Sequence, residues 1–199
     1  MSFRRACSVA AAVLAAFVLT GCFVVSKNMP AGMDTKVDER LIGTWQGIDA
    51  DGKEPDDVFL HFQKPEENAP LRLIWVEDRN YQVYEVTTGR AGNKNVFAAK
   101  IIHPLDKAAE DKLPLGYYLG FYEVAANGTD ITFRLLEAEK VGALIKKGVL
   151  KGNAPARKYD MAELTGSPAE IAKFLASPDA AAAVSDEPAH LRRLPPYKK

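Results

Sequence analysis

Three histidines, His61, His103 and His190, are the groups in this chain best suited to moving protons or binding a metal at neutral pH. A zinc centre gathers its ligands at about 2 Å from the ion, usually from closely spaced pairs. These three lie far apart, with no H-x-x-H or H-x-x-x-H spacing, and no metal site is assigned. Should the strands carrying His61 and Glu85 pair, a satisfied polar pair is the plainer reading than a catalytic one. Adjacent carboxylates occur at Asp56-Asp57, Glu66-Glu67, Glu77-Asp78 and Glu110-Asp111. General acid–base work needs burial and a displaced pKa, whereas these pairs sit at predicted loops and strand ends, where charge is solvated. No serine lies in a G-x-S-x-G elbow, and Gly148-x-x-x-Gly152 lacks the lysine-serine ending of a phosphate loop. Asn127-Gly-Thr129 fits a glycosylation pattern but reads better as a turn. The sequence therefore assigns no catalytic residue and no cofactor.

The remaining reactive side chains are two thiols, Cys7 and Cys22. Both belong to an N-terminal segment unlike the rest of the chain. Arg4 and Arg5 precede an uncharged apolar run from Ala6 to Leu19. That run is shorter than the roughly 20 residues needed to span a bilayer. A basic start, a short apolar middle and small residues at its end read as a cleavable secretory signal over 1–21.

Leu19-Thr20-Gly21-Cys22 closes that segment and resembles the lipobox of bacterial lipoproteins. The resemblance implies a diacylglycerol thioether on Cys22, cleavage just before it, and membrane attachment through palmitate-type chains. Each buried methylene contributes roughly 0.8 kcal/mol, and two or more chains make attachment effectively permanent. In that family the residue after the cysteine influences sorting. Phe23, in place of the aspartate that retains proteins at the inner membrane, implies an outer-membrane anchor facing the periplasm of a Gram-negative envelope.

The precursor carries 26 basic and 26 acidic residues. Losing residues 1–21 removes two arginines and no acid, leaving the mature chain at −2. A near-neutral balance predicts no nucleic-acid partner. With Cys7 discarded and Cys22 modified, the mature domain has neither disulfide nor thiol chemistry. One domain with a sizeable core is expected from its length.

Residues 22–37 read as lipid anchor and flexible tether, 38–185 as a single β-rich domain, and 186–199 as a flexible tail. Alternation and turn residues predict strands at 41–48, 58–63, 71–77, 81–88, 96–102, 116–124 and 129–136, with Asn127-Gly128 the clearest hairpin turn. Residues 89–93 are expected to be a turn. Residues 137–147 read as a helix, with a strand as the alternative, and 158–165 as one further strand. Ser167-Pro168-Ala169-Glu170 is a capping-box signature that starts a helix at Pro168. Asp179 is expected to cap a turn over 180–184. The fold class is mainly β (α+β): an antiparallel meander, curled barrel or sandwich of about six to eight strands, with one or two C-terminal helices.

Gly43-Thr44-Trp45 resembles the G-x-W of lipocalin-like barrels. The resemblance implies a tryptophan closing one end of a barrel that holds a small apolar ligand, with an arginine packed on it. Arg134 and Arg157 are the candidates for that arginine. Trp45, together with Tyr117 and Phe121 from an aromatic strand, forms the expected ligand-binding set, with core packing the plainer reading of the strand's aromatics. The functional expectation is a non-catalytic, lipid-anchored envelope protein that binds a small apolar molecule or another envelope protein. The alternatives are an assembly role through a sheet edge and a hydrolase with an unrecognised site.

Overall fold

A computed structural model describes residues 23–33, 37–49, 55–67, 69–77, 80–103, 116–157 and 160–195. The predicted signal, Cys22, and the loop acids Asp78, Glu110 and Asp111 lie outside the described residues. The strands are β1 (Val24–Ser26), β2 (Gly43–Ile48), β3 (Pro55–Gln63), β4 (Leu71–Glu77), β5 (Asn80–Ala91), β6 (Lys94–His103), β7 (Tyr117–Val124), β8 (Asp130–Leu135), β9 (Gly152–Asn153), β10 (Ala162–Leu164) and β11 (Ala189–Arg193). Helices are α1 (Ala138–Lys146), α2 (Pro168–Leu175) and α3 (Pro178–Ala182).

Strands β2 to β8 follow one another as antiparallel neighbours, β11 inserts between β8 and β2, and β6 also pairs with β7. The result is a closed, eight-stranded antiparallel barrel. Closure removes the exposed edges that an open meander of this length would present. Of the expected alternatives, the curled barrel is the one formed.

Each of the two segments read as flexible contributes a strand to the sheet: β1 within 22–37 and β11 within 186–199. Val24, Val25 and Ser26 are each 3 % exposed or less. Their strand pairs with Tyr117 and Tyr118 on one side and runs parallel to β10 on the other. Apolar β-branched residues beside an aromatic strand recover burial that a solvated tether would forgo. At the other end, β11 is the closing stave, with Leu191 buried between Ile131 and Gly47.

Two layers of apolar contact follow from strand alternation. Inward residues such as Trp45, Leu60, Phe62, Leu71, Val86 and Phe97 fill the lumen. Outward residues of β6 and β7, including Val96, Ala98, Leu119 and Phe121, pack beneath β1, β10 and the helices. The helices lie in the long connection between β8 and β11. Helix α2 starts as its sequence predicts: Ser167 and Glu170 cap each other's backbone, the Ser167 amide donating to Glu170 at 2.8 Å. Helix α1 forms in place of a strand and stops at Gly148. Helix α3 is capped by Ser177 instead of Asp179. The turn expected at 89–93 is shorter, since β5 runs on to Ala91. Gly89 lies within that strand where Met33 approaches closely; a β-carbon there would lie 3.0 Å from the Met33 sulfur.

Candidate functional site

Strictly alternating strand direction places successive connections at opposite ends of the barrel. One end carries the 64–70, 92–93 and 125–129 turns and the segment 37–42 that leads into β2. Strands β2, β4, β6 and β8 finish, and β3, β5, β7 and β11 begin, at the other end, called here the mouth.

The first end is plugged. A single 3₁₀ turn over Glu39–Leu41 brings Leu41 fully inside, and the Trp45 indole N–H donates to the Leu41 carbonyl at 2.7 Å. Across the ring lies Arg193, its guanidinium carbon 4.1 Å from the ring centre. The same guanidinium donates to the carbonyls of Ile42 at 2.7 Å and Gly128 at 3.0 Å, and also to that of Arg40. The arginine on Trp45 is thus neither Arg134, which points outward and donates to the Ser185 carbonyl at 3.4 Å, nor Arg157, which lies in the loop before β10. Gly43 has φ +134°, and a β-carbon on it would stand 2.8 Å from Arg193. Gly43, Trp45 and Arg193 are therefore one steric and electrostatic unit.

Asp38 fastens the plug to the opposite wall. Its carboxylate accepts from Tyr122 at 2.9 Å and from Arg40, while its amide donates to Thr88 at 3.1 Å. Burial acts to raise its pKa, but the hydrogen bonds from Arg40 and Tyr122 outweigh it and hold the carboxyl below its ordinary value. Burial beside Asp38 pushes the Tyr122 phenol well up. Above the plug, Phe133 meets Phe62 at 6.2 Å, Phe97 at 5.4 Å and Tyr122 at 6.0 Å between ring centres. Phe62 and Phe133 come from separate walls, so side chains fill this half of the lumen.

Toward the mouth the lining changes. Trp75, Gln82, Tyr84, Ile101, Tyr118 and Leu135 point inward by register. All but Gln82 remain partly exposed, in contrast to the sealed plug. Tyr84 donates to Gln82, and its ring meets Tyr118 edge-on at 6.4 Å. Burial raises the pKa of both phenols, so each remains a neutral donor at physiological pH. The Trp75 indole nitrogen is buried without a hydrogen-bond partner among the described residues. A buried N–H left unpaired costs about 1–3 kcal/mol, so this atom is a standing donor on a mostly apolar wall.

The three expected ligand residues do not converge. Trp45 lies inside the barrel at the plugged end. Tyr117 and Phe121 face outward under the helices, with the Lys94 ammonium 5.3 Å from the Phe121 ring centre. Phe121 also borders an outer groove of about 460 Å³ between the wall and α3. The mouth residues Trp75, Gln82 and Tyr84 were missed, although each occupies the inward position of a strand the sequence shows. His61 meets Thr44 at 2.9 Å on the outer wall, and strand β4 separates it from Glu85. His190 meets Thr132 at 3.4 Å, and His103 ends β6. Asp57, Glu66 and Glu67 are exposed. Among the described residues no three His, Cys, Asp or Glu side chains gather to hold a metal, and no helix is long and apolar enough to cross a membrane.

The fold defines the class: a closed eight-stranded antiparallel barrel, plugged at one end and lined toward the other by side chains that stay partly exposed. No protein family, no curated protein and no solved structure matches the chain.

Proposed function

We propose that this protein is a lipid-anchored envelope protein whose barrel takes up a small apolar molecule through its mouth. In this reading the chain is a non-catalytic, lipocalin-like binding module. It is held by acyl chains on Cys22 at the outer membrane, faces the periplasm and requires no cofactor or nucleic acid. The carrying observation is the contrast between the two halves of the lumen. Trp45, Arg193 and the Phe62–Phe133 stack seal one half, whereas Trp75, Tyr84 and Tyr118 leave the other partly exposed with an unpaired indole donor.

That lining also selects the ligand's chemistry. An apolar body gains from the Trp75, Tyr84, Ile101 and Leu135 surfaces, and an oxygen acceptor gains from the Trp75 N–H. A fatty acyl chain ending in a carboxyl or ester group supplies both.

The test is the domain carrying Cys22→Ser, purified from cells. Organic extraction with mass spectrometry should recover a bound lipid, or long-chain fatty acid should raise the melting temperature. A domain that yields no lipid and melts unchanged removes the binding role. Barrel closure weighs against the assembly alternative, because the outer edge left to the sheet among the described residues is the two-residue β9.

A further inference from the structure

The outer groove between the barrel wall and α3 is separate from the lumen, and strand register gives its floor a definite chemistry. Its volume, about 460 Å³, is of the size that takes a small organic molecule. Phe121 on β7 lies directly opposite Arg134 on β8, and Glu123 lies opposite Thr132 one outward position nearer the plugged end. Opposed residues on one face have β-carbons about 5 Å apart, so the arginine stands beside the ring. From the strand on the other side, β6, Lys94 places its ammonium 5.3 Å from the centre of the same ring. Ala181 of α3 and Val184 supply an apolar side.

Two cations thus flank one aromatic surface, and the fold engages neither of them fully. Arg134 is exposed and makes one long hydrogen bond, 3.4 Å, to the Ser185 carbonyl, which uses one donor of its guanidinium fork. Neither cation takes part in an ion pair among the described residues. Glu123 is the single acid of the lining, so two positive charges against one negative leave the groove at +1. A carboxylate balances that charge, and the planar fork of Arg134 matches its two oxygens. A phosphate monoester, at about −2, exceeds it and meets Glu123. The edge of Phe121, with Ala181 and Val184, favours an apolar body on the anion.

We propose that this groove binds a small organic monoanion, a carboxylate carried on a flat apolar group. Arg134 and Lys94 hold the carboxylate, Phe121, Ala181 and Val184 take the body, and Glu123 sets the selectivity by opposing a second negative charge. The site is independent of lipid uptake at the mouth, since Trp75 and Tyr84 point into the barrel while Phe121 and Arg134 point out of it.

The probe is naphthoate, titrated into nitrogen-15-labelled protein carrying Cys22→Ser, with naphthamide and naphthyl phosphate as its neutral and dianionic counterparts. Saturable amide shifts are expected at 93–95, 121–123 and 181–184. Arg134→Gln and Lys94→Gln should each weaken binding about three- to tenfold, and salt raised to about 0.5 M should weaken it in the parent. Arg134→Lys, which keeps the charge, should recover part of the loss. Naphthamide should bind several-fold more weakly than naphthoate, and naphthyl phosphate should gain on naphthoate in Glu123→Gln. Trp75→Phe should leave the titration unchanged. Shifts confined to 75, 82 and 84 would place the probe in the lumen, overturning the groove site while leaving the barrel's binding role intact. Absence of saturable shifts, equal affinity for naphthoate and naphthamide, or an affinity indifferent to both glutamine substitutions would overturn it as well.

Discussion

Arg193 and Trp45 sit on paired strands from opposite ends of the chain, the guanidinium carbon 4.1 Å above the indole centre. That guanidinium also gathers three backbone carbonyls, those of Arg40, Ile42 and Gly128. The contact therefore joins the segment before β2, the β7–β8 turn and the last strand. Replacing Arg193 with alanine removes a cation–π contact and strands the carbonyls, an expected loss of about 2–4 kcal/mol in urea unfolding. Arg193→Lys keeps the charge but not the planar fork and should recover only part of it. A variant as stable as the parent would show that the plug is held elsewhere.

Gly43 belongs to the same unit. At φ +134°, and with Arg193 2.8 Å from any β-carbon, Gly43→Ala meets both backbone strain and a clash. The expected cost is about 1–3 kcal/mol. Because the clash partner is Arg193, the double variant Gly43→Ala/Arg193→Ala should lose less than the two single losses combined. Strict additivity in the unfolding cycle would separate the glycine from the arginine.

Strand β11 closes the barrel, so a chain ending at Glu187 exposes the β2 and β8 edges together with the Ile131 face that Leu191 covers. Such a truncation should unfold without a cooperative transition and bind hydrophobic dyes. Retention of the parent's sharp transition would contradict the closed barrel.

Asp38 predicts the acid limb of stability. Its folded pKa is depressed below the unfolded value of 3.8, so its contribution is present above that value and fades as pH falls through the folded pKa. Asp38→Asn should lower the urea midpoint at neutral pH and flatten its decline in acid. An unchanged acid limb would mean that the Tyr122 and Arg40 contacts do not couple to folding.

Sequence and structure agree where the pattern is local. The Val58-Leu60-Phe62 alternation, the Asn127-Gly128 turn and the Ser167–Glu170 capping box each form within a few residues, and each is where the sequence places it. The failures are non-local. Three-residue β1 and five-residue β11 are too short to show a period, and their burial comes from strands far along the chain. Phe121 is as aromatic as Tyr118, yet alternation alone sends it outward. Once a closed barrel is granted, the register from Trp45 through Leu60, Trp75 and Gln82 yields the mouth.

Uptake of an apolar ligand at that mouth is tested most directly through its own indole. Trp75 lies at the mouth and Trp45 under the plug, and they are the two tryptophans of the chain. Titrating the Cys22→Ser domain with a long-chain fatty acid should shift the tryptophan emission in a saturable way, and Trp75→Phe should abolish the shift while leaving the fold cooperative. An emission that never saturates, or a saturable shift that survives Trp75→Phe, would contradict the account.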